Sequence, residues 1–194
     1  MVKYLNRHFF AALVSVLMLG LGAKAFAGAD TFVIDTKGAH AFIQFKASHL
    51  GYSWLYGRFN DFNGEFTYDP ENDKNNSIEV TVDVTSIDSN HAERDKHLRA
   101  DGYLNTDKFK NATFKSKSYK SLGNNKAKLV GELTLMGVKK DIELDVDVIG
   151  GGTDPWGGYR QGFAATTTIA TKDFGMKKDM GEIELIISLE GIKK

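Results

Sequence analysis

VKKDIELDVDV, residues 138–148, alternates between apolar and charged side chains. A period of two is typical of a β-strand that buries one face and exposes the other to water. The same alternation recurs in residues 78–85, 129–135 and 183–189. Apolar residues on one face and charged residues on the other form a wall between a core and solvent, as in antiparallel sheets.

Turn-forming residues separate these strands. Asp69-Pro70 begins a loop, Gly123-Asn124-Asn125 suits a hairpin, and Met136-Gly137 suits a tight turn. No shift in composition and no internal repeat indicates a second domain. Because closure removes the sheet edges that promote aggregation, we predict an all-β fold, a closed antiparallel barrel of about eight strands.

One segment, Ser86 to Ser116, does not follow the strand pattern. Asn90 can cap a helix, and Glu93 lies three residues later, where a capping box places an acid. Residues 91–99 contain no glycine, proline or β-branched residue, so one or two helical turns are predicted before the Asp101-Gly102 turn. A connection of this length usually covers part of the fold or has a function of its own. We predict that it covers an open end of the barrel.

The first 27 residues have the organisation of a signal peptide. Lys3 and Arg7 precede an almost continuously apolar run from Phe9 to Leu21, and Ala25-Phe26-Ala27 offers small residues to a signal peptidase. The alternative is a membrane anchor, but about 13 apolar residues are fewer than the roughly 20 that a spanning helix needs. We predict cleavage after Ala27, a mature domain at residues 28–194 and a periplasmic location. A second candidate cleavage site follows Ala25.

Charge and cysteine content narrow the function further. Loss of Lys3, Arg7 and Lys24 with the leader changes the formal charge from zero to −3, which argues against a nucleic-acid partner. The absence of cysteine excludes thiol catalysis and cysteine-based metal sites. Inward apolar faces are the reverse of a membrane barrel, so we predict no stable membrane insertion. The sequence leaves both a monomer and a homodimer open.

Two aromatic-rich segments, residues 39–48 and 54–68, supply candidates for a binding site. Gly57 and Gly64 lie within the second segment, and glycines inside strands often mark bends at barrel corners. The simpler interpretation is that most of these aromatics form the core. The functional interpretation is that the lining of an internal cavity includes Phe42, Phe45, Trp54, Tyr56, Phe59 and Phe163. Candidates for its polar rim are His49, His91, Arg94 and His97.

The sequence offers little for catalysis. His91 and His97 are six residues apart and do not share a helix face, unlike the i, i+4 histidine pair of zinc helices. No G-x-S-x-G turn and no phosphate-binding loop occurs. We therefore predict a protein with no metal, no cofactor and no enzymatic activity. The alternative is a hydrolytic or metal-assisted enzyme that uses His49, His91 and His97.

Several stretches closely resemble the YceI-like family of periplasmic proteins. They are NHAERDKHLR (90–99), the run from Ala39 to Phe66, GELTLMGVKKDIEL (131–144), DPWGGYRQGFAA (154–165), and KDFGM (172–176) with EIELIISLEG (182–191). The resemblance covers the chain after the leader in the same order. It implies a lipocalin-like barrel that holds a long-chain lipid or polyisoprenoid for sequestration, transport or storage, with residues 90–99 near the opening. It also implies a binding protein rather than an enzyme.

Overall fold

The computed structural model describes residues 28–194, so the predicted signal peptide lies outside the described residues. Eleven strand segments form one antiparallel sheet, joined by one short helix and three 3-10 turns. No helix among residues 28–194 combines the length and apolarity needed to cross a bilayer. The strands are β1 (Asp30–Ile34), β2 (Phe42–His49), β3 (Ser53–Phe59), β4 (Phe62–Tyr68), β5 (Ser77–Asp83), β6 (Ile87–Asp88), β7 (Asn111–Gly123), β8 (Lys126–Leu135), β9 (Val138–Thr153), β10 (Tyr159–Ala170) and β11 (Glu182–Lys193). The helix is α1 (Ala92–Arg99), and the 3-10 turns span Asp73–Asn75, Val84–Ser86 and Thr171–Phe174.

Three pairs of consecutive segments each behave as one barrel strand with a break in the middle. β1 and β2 both pair with β11, β3 pairs with β2 while β4 pairs with β1, and β6 pairs with β3 while β5 pairs with β4. The remaining strands follow in simple up-and-down order, and the β1–β11 pairing closes the sheet. The eleven segments therefore make eight barrel strands, which confirms the predicted closed antiparallel barrel.

Apolar side chains from the inner face form a cluster at each end of the barrel. At the end covered by α1, which we call the helix end, Phe45 and Leu98 belong to the same buried cluster. At the opposite end, the hairpin end, Phe32 is 1% exposed and stacks on Phe66 with ring centroids 4.9 Å apart. Burial of each such side chain contributes roughly 1.5–3 kcal/mol. In a chain without cysteine, these clusters and the closed sheet supply the stability.

Helix α1 begins with a different cap from the one predicted. The N-cap is His91, whose Nδ1 accepts the backbone N–H of Arg94 at 3.2 Å. Asn90 instead has a φ of 59°, a left-handed conformation that asparagine tolerates better than most residues. The prediction of an Asn90 cap is therefore wrong by one residue, because Asn90 turns the chain. Leu98 and Leu104 then bury against the barrel, so this connection covers one end as predicted.

An ion-pair network lies beside the break between β1 and β2. The Arg160 guanidinium contacts Asp35 at 2.7 Å and Asp154 at 2.8 Å, and it also pairs with Glu190. Asp35 is 6% exposed and lies 3.0 Å from Nδ1 of His40. These partners, Arg160 first, lower the pKa of Asp35 to about 2. The network therefore joins β10 and β11 to the chain at the break.

Candidate ligand-binding site

The barrel interior is not filled by side chains, and two apolar chambers lie end to end within it. The upper chamber lies toward the hairpin end. The centre of a water-sized sphere can move within about 150 Å³ of it. The lower chamber, toward the helix end, offers about 130 Å³. Protein interiors are otherwise close-packed, so an apolar interior space of this kind is where a ligand would bind. The residues that line both chambers form what we call the waist: Ile43, Val82, Ala112, Leu133 and Leu185.

The upper chamber is lined by aliphatic residues of the barrel walls and by a group of aromatic rings. Phe163 meets Phe66 edge-on with centroids 5.4 Å apart, and meets Tyr68 in the same way at 5.1 Å. Tyr119 lies against Tyr68 at 6.5 Å. Burial raises the pKa of Tyr119 to about 12, and burial is also the main reason that the pKa of Tyr68 is raised. Both phenols therefore stay protonated and neutral at any physiological pH.

The lower chamber is enclosed by elements that cover the helix end. Phe45 and Phe59 contribute rings with centroids 5.9 Å apart, and Leu98 and Leu104 come from the α1 connection. The segment after the last 3-10 turn adds Met176 and Met180, whose flexible side chains can adapt to ligand shape. The floor of this chamber can therefore change its shape more easily than its walls.

The structure places three of the six predicted aromatic residues in the chambers. Phe45 and Phe59 line the lower chamber and Phe163 lines the upper one. The other three lie on the outer face of the barrel: Phe42 is 41% exposed, Trp54 60% and Tyr56 57%.

Strand register explains the division. Phe45 lies directly opposite Gly57, and a Cβ at Gly57 would come within 2.2 Å of the Phe45 ring. Gly57 therefore faces inward, and alternation along β3 turns its neighbours Tyr56 and Arg58 outward. Trp54 follows the same outward alternation, so it cannot reach the chambers.

None of the four predicted rim residues lines either chamber. His49 and His97 are exposed, and His91 caps α1. Arg94 donates from Nε to the Ser89 hydroxyl at 2.7 Å and from its guanidinium to the Ser89 carbonyl. These contacts brace the helix against the preceding loop. A role for the four residues in ligand binding stays a prediction.

The aliphatic lining and the polar groups of the upper chamber are not among the residues predicted as the site. The aliphatic residues, such as Val82 and Leu185, occupy the apolar positions of the alternating stretches 78–85 and 183–189, and that signal is sufficient to place them on the inner face. Asn76 also lines the upper chamber. Its position in an asparagine-rich loop gave no such signal, because asparagine in a loop usually serves the turn itself.

The histidines of the enzyme alternative are not brought together. Among residues 28–194, one group of side chains lies close enough to share a metal ion, and it consists of Asp35, His40 and Glu190. Arg160 donates to both of those carboxylates, so the guanidinium already occupies them and offsets part of their charge. The group does not include His49, His91 or His97.

Comparison with known proteins gives the chain its family. Residues 32–191 match the YceI-like domain. The chain belongs to the YceI-like family. This confirms the resemblance found in the sequence.

Relatives match this YceI-like chain over nearly its whole length. A UPF0312 protein of Shewanella putrefaciens is 48% identical over 194 residues, covering 98% of this chain and 100% of that protein. A UPF0312 protein of Pseudomonas aeruginosa is 50% identical over 184 residues, covering 91% of this chain and 96% of that protein.

Solved structures share the barrel. The crystal structure of the Campylobacter jejuni YceI protein is 30% identical with a TM-score of 0.69, covering 76% of this YceI-like chain and 90% of that one. A polyisoprenoid binding domain from Saccharophagus degradans, implicated in plant cell wall breakdown, is 14% identical with a TM-score of 0.61. It covers 84% of this chain and 98% of that one. At that identity the likeness concerns the fold alone.

Proposed function

We propose that this protein binds one long-chain apolar molecule, a polyisoprenoid or a fatty-acid-like chain, along the barrel axis. The observation that carries the proposal is the pair of apolar chambers placed end to end, with the five residues of the waist lining both. An elongated apolar space fits an elongated apolar ligand. The name of the Saccharophagus degradans polyisoprenoid binding domain supports the same ligand class.

The energetics of such a ligand favour a chain that fills both chambers. Each buried methylene contributes about 0.8 kcal/mol, whereas association costs roughly 4–15 kcal/mol. A chain of about ten carbons therefore binds weakly. A chain twice as long gains about 8 kcal/mol more from burial at little additional cost. The cavity thus selects for chain length.

We further propose that the protein carries, stores or sequesters this ligand rather than transforming it. The chamber walls are almost entirely apolar, and the predicted histidines lie outside them. A reaction on the ligand would require acid, base or nucleophile groups inside the cavity. Among the described residues 28–194, no histidine, carboxylate, lysine or arginine lines either chamber; the polar groups there are the Asn76 amide, serine and threonine hydroxyls, and two protonated tyrosines.

The proposed location is the periplasm, after removal of residues 1–27. Lipid-like molecules cross an aqueous compartment slowly unless they are shielded from water, and a closed apolar barrel provides that shield. Intact-mass measurement on periplasmic material tests the export step: the protein should begin at Gly28. Recovery of the full-length chain from the inner membrane would contradict it.

Mass spectrometry of natively purified protein tests the function. Extraction with organic solvent should release one long-chain molecule per protein chain. A second aliquot, analysed for bound metals, should contain no stoichiometric zinc. An extract without lipid together with stoichiometric zinc would reject the binding proposal in favour of the metal-assisted enzyme.

A further inference from the structure

Asn76 is a buried polar residue with an unusual environment. It lies between the 3-10 turn Asp73–Asn75 and β5, is 9% exposed and lines the upper chamber near the hairpin end. Among residues 28–194, its Nδ2 is the one buried side-chain nitrogen or oxygen without a hydrogen-bond partner in the protein. A buried donor that lacks a partner costs about 1–3 kcal/mol, so a site that retains one usually has a use for it.

The orientation of the Asn76 amide is fixed by its other end. Oδ1 accepts the backbone N–H of Asp69 at 2.6 Å. Only an oxygen can accept that bond, so the amide cannot be flipped without losing it. The N–H donors of Nδ2 are therefore the groups left over, and they can bind only an acceptor.

Two carboxylates make this end of the chamber electrostatically selective. Asp69 is 6% exposed and is held in its charged form by the Asn75 amide, which lowers its pKa. The charge of Asp73 helps to raise the pKa of both Tyr68 and Tyr119, so its field reaches the chamber wall. A phosphate or carboxylate placed here would be repelled by both acids.

We propose that Asn76 Nδ2 donates a hydrogen bond to the oxygen of an uncharged ligand head group, a carbonyl or a hydroxyl, held at the hairpin end of the upper chamber. Asp69 and Asp73 exclude anionic head groups from this position. This inference rests on the proposed binding of a long-chain ligand and names the chemistry of its polar end. It places the head group at the end opposite to α1, far from Arg94.

A matched set of three ligands tests the head-group preference. The probes are geranylgeraniol, geranylgeranyl phosphate and the hydrocarbon of the same chain with hydrogen in place of the hydroxyl. Each is titrated into delipidated protein by competition with an uncharged fluorescent hydrocarbon probe. Geranylgeraniol should bind about tenfold tighter than the hydrocarbon, the value of one well-placed hydrogen bond. The phosphate should bind more weakly than the alcohol.

Two variants locate that preference. Asn76→Ala should bind the alcohol and the hydrocarbon equally, with the affinity for the hydrocarbon unchanged. Asn75→Ala is the control, because Asn75 donates to Asp69 from the same loop at 2.8 Å but does not line the chamber. It should keep the tenfold preference. A preference that survives in Asn76→Ala, or a phosphate that binds wild type tightest, would overturn the inference.

The outcomes also separate this inference from the proposed function. If none of the three ligands binds wild type, the binding function itself fails. If all three bind with equal affinity, the function stands and the head-group role of Asn76 fails. Should Asn76→Ala not fold, ¹⁵N NMR of wild type decides: the Asn76 side-chain amide signals should shift with geranylgeraniol and not with the hydrocarbon. Equal shifts with both ligands would reject the hydrogen bond.

Discussion

Replacing Ala112 with phenylalanine should divide the cavity at its waist. Ala112 lies on β7, is 7% exposed, and stands opposite Val82 of β5. It lines both chambers, so a larger side chain there enters the region where they meet. A phenyl ring should block a ligand that runs from one chamber into the other, while leaving most of each chamber intact.

The two chamber volumes set the size of the effect. At about 150 and 130 Å³ they are similar, so the plug denies a ligand roughly half of the interior. A 20-carbon chain would then lose the burial of about ten methylene groups, worth about 8 kcal/mol at most. A ten-carbon chain, which one chamber can hold, should lose almost nothing. Overpacking at the waist should cost the fold about 1–3 kcal/mol, visible as a lower melting temperature.

The assay is a series of ligands that differ only in chain length, titrated into wild type and Ala112→Phe. In wild type the affinity should rise up to about 20 carbons, and in the variant it should stop rising near ten. Lys115→Phe is the control, since Lys115 is exposed on the same strand and lines neither chamber. If the length dependence is the same in Ala112→Phe and wild type, ligands do not pass through the waist and the reasoning fails.

Three further outcomes follow from particular side chains. Arg160 lowers the pKa of Asp35 to about 2, below the ordinary value of about 4 for an aspartate. The ionised carboxylate therefore stabilises the fold above pH 4 by at most about 2 kcal/mol, and this stabilisation is lost as the pH falls toward 2. Urea unfolding at several pH values should show a shallower acid dependence in Asp35→Asn, and an identical dependence would contradict the pairing. Trp54 and Trp156 are 60% and 76% exposed, so tryptophan emission should stay constant as a ligand fills the chambers, and a large blue shift would place the ligand elsewhere. Arg94→Ala should lower the melting temperature, because it breaks the hydrogen bonds to Ser89, and should leave ligand affinity unchanged. A selective loss of affinity for anionic ligands would instead support the predicted role of Arg94 in the polar rim.

The alternation of apolar and charged side chains along the strands was sufficient to predict most of the fold. Val82 occupies an apolar position of the alternating stretch 78–85, and it lines the waist as that pattern predicts. The breaks that divide three barrel strands were not predicted, because they depend on partners far away in sequence. Arg160, for example, reaches Asp35 across the sheet at the first break.

The candidate site was less predictable than the fold. An aromatic residue gives the same signal whether it faces the core or solvent, and only register separates Phe45 from Trp54 and Tyr56. That register follows from cross-strand pairing, which local sequence does not reveal. Asn76 was missed for a different reason: a turn residue and a ligand donor are the same residue type, and its unpaired Nδ2 is visible only in three dimensions.

The position of β11 in the barrel has a consequence for how the chain folds. β11 pairs with β10 on one side and with both β1 and β2 on the other, so that Ile187, for example, lies opposite Ile43. Every one of these partners precedes β11 in the chain. During synthesis the barrel therefore stays open until β11 has left the ribosome, and contacts between such distant residues form slowly. A chain that cannot close early remains threadable, which is the state that the proposed export would require.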